Sequence, residues 1–502
     1  MYPPQTSLIS ATVALIRFFS ENGFASFFQN YPYWYLGSTP FRYLIGPVVP
    51  VFEYALRTAF PTVSFFSLTI WLIVASMAVG GFGWLLLITK ILKKDEAKIP
   101  KSFYFLFLIV YFILPWKYLS GFTLSEGTYM VAEGLIPFVL VSVWIYLLKK
   151  DRPSLVVSCL SVALMLLINT NVLFLLIVGT AALCLTVSFK TNRFRHIEKR
   201  LKRGFSPVVL GFIVATLWYG PKFWWVQLAN PGIGGLAGIN VILTLIDFLK
   251  NLIPLVAVIL VLYFSHKIKS RITIFSLVWL LTFVLLTLYR FMANPAFWMD
   301  WTSWLTEVEV GIFLLISAWA LPQKVGPVGG SSHSTFLANA AGAQWDSLRP
   351  RHPQFFIILF VLPFLATFYV YNSLGKPKIL SRYPPAAIYS LGLVGSLPKN
   401  SLVFVTGSST FWLNAFFDVI QVRGGRDEVA IDPNWRTAAY TFRESKDQSL
   451  IEDYLKKLNV SFVLVNTAGS HDYYKDYKNV GLWQGIGTNV ASENGDYLLK
   501  VN

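Results

Sequence analysis

Residues 154–188 read SLVVSCLSVALMLLINTNVLFLLIVGTAALCLTVS, and the way this run is divided decides the topology of the chain. It holds 35 residues and no charge. One helix of that length would extend about 52 Å, against about 30 Å of bilayer hydrocarbon. Asn169-Thr170-Asn171 is the polar interruption that offers a turn. The run therefore reads as a helical hairpin, Ser154–Ile168 followed by Val172–Ser188. Charge bias tests this division. The alternate loops around 90–101, 149–152, 190–203, 267–271 and 324–351 hold 21 Lys and Arg, whereas the intervening short loops hold 4, namely Lys117, Lys222, Lys250 and Arg290. Lys and Arg collect on the cytoplasmic side. A single long helix would flip the parity and put KTNRFRHIEKRLKR outside, so the hairpin is favoured.

The same length criterion marks eight further spans: Ser64–Thr89, Ser102–Tyr118, Val131–Leu148, Pro207–Pro221, Leu252–Ser265, Ile272–Tyr289, Leu305–Leu321 and Phe355–Tyr371. Composition agrees: of 502 residues 55% are hydrophobic and 13% charged, roughly half the charge of a soluble protein. The fold class is an α-helical polytopic membrane protein with about ten transmembrane helices and a small C-terminal extracytoplasmic α/β domain. The plasma membrane is the expected location. The formal charge of +17 clusters between apolar runs, which assigns it to cytoplasmic loops facing lipid and leaves no role for nucleic acid. Cys159 and Cys184 lie inside apolar runs and give no disulfide framework, and the five histidines show no zinc-ligand spacing.

This topology divides the chain into residues 1–63, an extracytoplasmic or interfacial first-loop segment; 64–371, the transmembrane domain; and 372–502, a soluble domain. In the first segment ISATVALIRFFS (9–20) is short and contains Arg17, which reads as an interfacial amphipathic helix. WYLGSTPFRYLIGPVVP (34–50) is expected on the bilayer surface, kinked by Pro40, Pro47 and Pro50, with its aromatics at the headgroups. The Gly- and Ser-rich stretch 323–353 reads as a flexible cytoplasmic loop. The last 131 residues carry 14 basic and 12 acidic side chains, a soluble balance. SLVFVTG and SFVLVNT read as buried strands. SSTFWLNAFFD reads as a helix opened by a Ser cap, and HDYYKDYKN as a helix. DQSLIEDYLKKLNV is amphipathic, with Leu450, Ile451, Tyr454, Leu455 and Leu458 on one face. A hairpin turn is expected at Glu493-Asn494-Gly495.

Charge at the outer ends of membrane helices is costly and marks candidate chemistry. LSGFTLSEGTYMVAEGLIP places Glu126 and Glu133 seven residues apart, about two turns, so both can share one helix face and hold a divalent metal, Mg or Mn, or act as a general base. Solvated acids at a helix N-terminus explain them as simply. NPAFWMDWTSWLTEVEV supplies Asp300, Trp301 and Glu307, with Arg290 just before it; the bland alternative is an aromatic interfacial anchor. Lys222 in TLWYGPKFWW can meet a lipid phosphate, or merely snorkel. Arg423 and Arg426 flank Gly424-Gly425 in QVRGGRD, an arrangement compatible with an anion-binding nest or with a structural turn. Asn459-Val460-Ser461 is a glycosylation sequon by pattern. No P-loop, dinucleotide fingerprint or Ser-His-Asp set occurs.

NGFASFFQNYPYWYLGSTPFRYLIGPVVP, TLWYGPKFW, the Arg290 loop, FVTGSSTFWLNAFFDV and QVRGGRD together resemble the GT-C class of membrane glycosyltransferases. The likeness is closest to the prokaryotic integral membrane proteins labelled "6-pyruvoyl-tetrahydropterin synthase-related". It implies a polyprenyl-phosphate-linked sugar donor used at the outer face, with Glu126 and Glu133 as the carried-over acids. Glu53 is the further candidate catalytic acid, and Arg42 a further candidate substrate contact. The resemblance also implies a spanning helix and an acid ahead of the first loop. Residues 1–20 contain no Asp or Glu, so that helix is expected upstream of Met1. A non-catalytic lipid-binding or scaffold protein of the same fold is the main rival. A transporter is disfavoured, since no internal repeat or paired broken helices are evident.

Overall fold

The computed structural model describes residues 1–42, 46–93, 101–188, 197–229, 239–264, 270–292, 304–320, 365, 379–425, 429–430, 432 and 434–501. Among these, six helices are long and apolar enough to cross a membrane: Phe65–Lys93, Lys101–Leu124, Gly127–Lys149, Thr170–Ser188, Ile197–Gly220 and Arg271–Tyr289. The chain is a multi-pass membrane protein with a small C-terminal sheet. Four candidate spans fall outside these six. Arg152–Ile168 and Leu305–Ala320 are shorter apolar helices, and Ile239–Phe264 is a helix in which the shorter stretch Leu252–Val261 is apolar. Phe355–Tyr371 lies outside the described residues apart from Leu365.

The run that opened the sequence reading forms two helices, as expected. α7 (Arg152–Ile168) stops at Asn169, whose backbone is extended and whose side chain accepts a hydrogen bond from the Asn171 amide. A single 3₁₀ turn leads into α8 (Leu173–Ser188). The expected span Ser102–Tyr118 behaves differently. It is broken into α4 (Lys101–Ile113) and α5 (Pro115–Leu124). Pro115 has no amide hydrogen to continue α4, and it sits at the first position of α5, where none is needed.

The C-terminal sheet has the order β2-β1-β3-β5-β4, formed by β1 (Leu402–Phe404), β2 (Ile420–Gln421), β3 (Phe462–Asn466), β4 (Gly487–Glu493) and β5 (Asp496–Val501). β2, β1 and β3 are parallel; β5 and β4 are antiparallel. Both left-handed positions of the β4–β5 turn, Asn494 at φ 53° and Gly495 at φ 81°, fall where the sequence places them. Two expectations fail here. Residues 471–479 are irregular, and Leu450 is exposed, leaving Ile451 and Leu455 as the buried anchors of helix Gln448–Leu458.

The first-loop segment departs most from expectation. α1 (Ile9–Asn22) is buried on nearly every side, packed against α2 (Val48–Ala59), α3 (Phe65–Lys93) and helix Ser409–Phe416 of the C-terminal domain. It is a core helix and not an interfacial one. Its Arg17 pairs with Asp418 at 2.7 Å. Trp34, Tyr35 and Phe41 are likewise buried instead of lying among headgroups. The reason is backbone pairing. Tyr35 donates to the Arg423 carbonyl (3.1 Å), Gln421 donates to the Tyr33 carbonyl (3.0 Å), and Leu36 donates to the Gln421 carbonyl (3.4 Å). Residues 33–36 thus complete the otherwise open edge of β2, and their aromatic side chains fill the space between the two regions.

Candidate functional site

The N-terminal turn of α6 (Gly127–Lys149) is where buried polar groups gather. Glu126 occupies the position just ahead of the helix in extended conformation and is 3% exposed. Its Oε2 accepts a 3.1 Å hydrogen bond from Asn169 Nδ2, which also lies 3.0 Å from Thr128 Oγ1. The α7–α8 break therefore supplies the donor that fixes Glu126. One turn along α6, Tyr129 donates to Glu307 Oε1 at 2.9 Å. Glu307 lies in the first turn of α12 (Leu305–Ala320), and its carbonyl accepts from Trp279 Nε1 at 3.0 Å. Trp304, immediately before that helix, meets Phe174 of α8 with tilted rings 5.2 Å apart and holds φ at +64°, a strained value for a bulky residue. Around the first turn of α6 these side chains make a partial ring of two hydrogen-bonded pairs, Glu126 with Asn169 and Tyr129 with Glu307.

Glu53 lies beside this ring. It is fully buried on the inner face of α2, with Oε2 2.9 Å from Thr69 Oγ1 of α3. The Thr69 methyl in turn approaches Gly127, where a Cβ would stand 3.1 Å away. Burial pushes the Glu53 carboxyl up to about 8. Its Oε1 has no hydrogen-bond partner.

Glu133 does not join Glu126. Seven residues of helix separate them by about 10 Å along the axis. Glu126 turns to Asn169, whereas Glu133 acts electrostatically on Lys117 and Tyr111. A metal shared by these two carboxylates, as the spacing suggested, does not fit this arrangement. Among the described residues no three His, Cys, Asp or Glu side chains converge as ligands.

Lys117 itself is buried, not a loop residue. Its ammonium donates to the Tyr111 carbonyl left open by Pro115 and sits 3.8 Å from the Tyr111 ring centre. Glu309 caps the other side of the break, accepting from the Trp116 amide at 2.9 Å and the Lys117 amide at 3.0 Å. An apolar cavity of about 270 Å³ opens beside it, lined by residues including Leu114, Trp116, Val308 and Ile312. Sequence reasoning missed this broken helix; Pro115 inside an apolar run was the signal.

In the C-terminal domain the glycines of QVRGGRD are packing glycines. A Cβ on Gly424 would lie 2.6 Å from Trp34 Cβ, and one on Gly425 would lie 2.5 Å from Trp34 Cζ2. Neither has positive φ, so the anticipated nest is absent there. A left-handed glycine, Gly407 at φ 69°, lies just past the C-terminal end of β1. The amides that follow it hold the protein's own Asp472, which accepts from Ser408 N at 3.1 Å and Ser409 N at 3.2 Å. This replaces the expected Ser cap. Asp476 accepts from Thr406 Oγ1 and Gly407 N and pairs with Arg423 and Arg443, each at 3.5 Å. Burial opposes its ionisation, but these partners prevail and hold its carboxyl below the usual range. Arg423 is thereby committed within the domain. Arg426, Asp300 and Trp301, and the side chains of Arg42, Lys222 and Arg290, lie outside the described residues. The backbone at Lys222 follows a kink at Gly220, φ 74°.

No family model matches the sequence, and no characterised protein matches it by sequence comparison. Solved structures do share its fold. The apo oligosaccharyltransferase of Archaeoglobus fulgidus matches with a TM-score of 0.50 at 12% identity, over 97% of this chain and 70% of that one. The same enzyme tethered to an acceptor peptide containing an NVT sequon matches with a TM-score of 0.50 at 12% identity, over 100% and 71%. Its complex with Zn and sulfate matches with a TM-score of 0.51 at 13% identity, over 92% and 64%. At such identity the likeness shows a common fold.

Proposed function

We propose that this chain is a GT-C-like membrane glycosyltransferase that takes a sugar from a polyprenyl-phosphate carrier and passes it to an acceptor on the extracytoplasmic side. In this reading all ten candidate spans cross the plasma membrane and residues 372–502 lie outside. The observation that carries the proposal is Glu126, a buried carboxylate oriented by Asn169 at the start of a membrane helix, within a fold shared with an oligosaccharyltransferase. A carboxylate so held can take the proton of an acceptor nucleophile. Asn169 keeps one of its oxygens oriented. Lys222 and Arg290 are assigned to the departing phosphate, because stabilising developing charge is usually the largest catalytic contribution. Asp300, Trp301 and Glu307 are assigned to the wall facing the lipid-linked donor, with Arg42 as a further contact.

No step is routed through a metal. Divalent-cation dependence is a matter for chelation of the purified protein followed by Mg or Mn addition. The burial of Glu126 favours one rival, a lipid-binding protein of the same fold without catalysis. Transfer from fluorescent polyprenyl-phosphate sugars to a mixed acceptor pool separates the two. Glu126→Gln is expected to lower transfer by at least about 100-fold, the scale of losing one aligned catalytic group. Transfer by Glu126→Gln equal to wild type would remove Glu126 from the mechanism; lipid binding with no transfer in any preparation would leave the rival standing.

A further inference from the structure

Glu126 and Asn169 are both buried, so a substrate reaches them only if something moves. Helix α2 lies beside this pair. It packs on α1, α3 and α7. The turn that leads into it is pressed onto the last turn of α7, where a Cβ on Gly46 would stand 1.8 Å from the Leu167 carbonyl oxygen, two residues before Asn169. α2 has few fully buried anchors: of its 12 residues only Val49, Pro50 and Glu53 are buried, Val48 and Val51 are partly buried, and Phe52 and Tyr54 are exposed. The third anchor is a carboxyl group in an apolar seam.

The hydrogens around Thr69 show which form that carboxyl takes. Thr69 Oγ1 lies 2.9 Å from Glu53 Oε2 and 2.9 Å from the Phe65 carbonyl oxygen. A hydroxyl has one hydrogen to donate, and the carbonyl can only accept. Both contacts are satisfied when Thr69 donates to Phe65 and Glu53 carries a proton that it donates to Thr69. An ionised Glu53 would instead bury a charge with one oxygen unpartnered.

We propose that α2 is a lid over the Glu126–Asn169 pair, latched by the protonated carboxyl of Glu53 against Thr69 and released when that carboxyl ionises. This rests on the reading of Glu126 as the working carboxylate. Few other charges bear on the latch. From α1, Arg17 and Glu21 are occupied with each other and with Asp418. The charged side chains of α3, Lys90 and Lys93, sit in its last turn, and Arg152 begins α7 at the end remote from Asn169. Cys159 lies ten residues ahead of Asn169, and Glu126 is the neighbouring carboxyl on the α6 side. On α2 itself Arg57 donates to the Val63 carbonyl and packs over Phe65, and the partly exposed Tyr54 ring packs edge-on against Phe19 of α1. The cause of the raised Glu53 ionisation is burial, with no charged neighbour contributing.

Hydrogen exchange of the full-length protein in nanodiscs, corrected for the intrinsic pH dependence of exchange, tests the latch without an activity assay. Protection of the peptide covering Val48–Ala59 is expected to fall with rising pH, by up to about tenfold per unit as Glu53 ionises, while Gln448–Leu458 stays constant. In Glu53→Gln the α2 profile should be flat. The same slope in Glu53→Gln and wild type, or α2 and Gln448–Leu458 losing protection together, would overturn the proposal. Should Glu53→Gln fail to fold, the wild-type profiles of the two peptides decide by themselves: a pH-independent α2 refutes the latch. Glu126→Gln keeps the latch and abolishes transfer, so the lid and the catalytic reading fail separately.

Discussion

Replacing Gly425 by Ala tests whether the first loop and the C-terminal domain are one packed unit. The new Cβ would stand 2.5 Å from Trp34 Cζ2 and 2.7 Å from the Ala11 Cβ, where ordinary contact begins at 3.4 Å. The shortfall is close to 1 Å on two sides. Neither neighbour can give way easily. Trp34 is 1% exposed and backed by Tyr31 with ring centres 5.0 Å apart, and Ala11 belongs to the buried helix α1. Overpacking of this kind costs about 1–3 kcal/mol. Both clashing groups lie in the first-loop segment, so the cost falls on the docking of that segment and not on the sheet itself. An undocked population about 5- to 150-fold larger follows, at about 1.4 kcal/mol per tenfold. Limited proteolysis of residues 31–38 in the detergent-solubilised chain reads that population directly. A nest at Gly424-Gly425 predicts the opposite pattern: weakened anion binding with docking intact. Unchanged cleavage in Gly425→Ala, with Trp34 fluorescence also unchanged, would refute the packing argument.

Glu53→Gln removes a buried group that ionises near 8 in the folded chain and near 4.5 in the unfolded one. Between those values the folded state binds the extra proton, so wild-type stability should fall with rising pH by about 1.4 kcal/mol per unit relative to Glu53→Gln and level off above 8; denaturation midpoints across pH 5–9, taken from about a unit above the lower value to a unit above the upper, check the slope. Asp476 behaves in the reverse sense. Its depressed ionisation stabilises the domain at neutral pH and the benefit is lost on acidification below its ordinary 3.8, so the stability gap between wild type and Asp476→Asn should close in acid. Glu309→Ala strips acceptors from the Trp116 and Lys117 amides, and leaving buried donors unpaired costs about 1–3 kcal/mol each; Glu309→Gln keeps one acceptor and should lose less, both read as resistance to SDS unfolding.

The parts of this architecture that could be read in advance are those set by local rules. Asn169-Thr170-Asn171 stops a helix because its side chains bond their own backbone, and the turn lies where that chemistry puts it. Asn494-Gly495 supplies the two left-handed residues of a tight hairpin by the same logic. What misled was whatever depended on a partner outside the local stretch, from another element. Asp472 and Asp476, four apart, mimic a helix face, but their carboxylates serve the amides and hydroxyls around Gly407, some 64–70 residues earlier. Residues 9–20 look amphipathic in isolation because Arg17 is the polar outlier; its partner Asp418 is 401 positions on. Glu126 and Glu133 share a helix and a spacing, and only their partners, Asn169 for one and Lys117 for the other, assign them to different chemistry.

The same distinction explains why Glu53 was visible as a candidate and invisible as a latch. It stood as a candidate acid of the first loop, but nothing in the neighbouring sequence names the group that it meets. Its meaning is set by Thr69, sixteen residues later on α3, where the Phe65 carbonyl competes for the single hydroxyl hydrogen. A surface helix anchored through an acid is stable only while that acid is neutral. That condition ties access to Glu126 to a proton held on a different element. It also makes burial of the candidate catalytic carboxylate compatible with turnover: the buried arrangement is the latched one, and the reacting arrangement is reached by moving α2 alone while the α6–α7 framework that orients Glu126 stays in place.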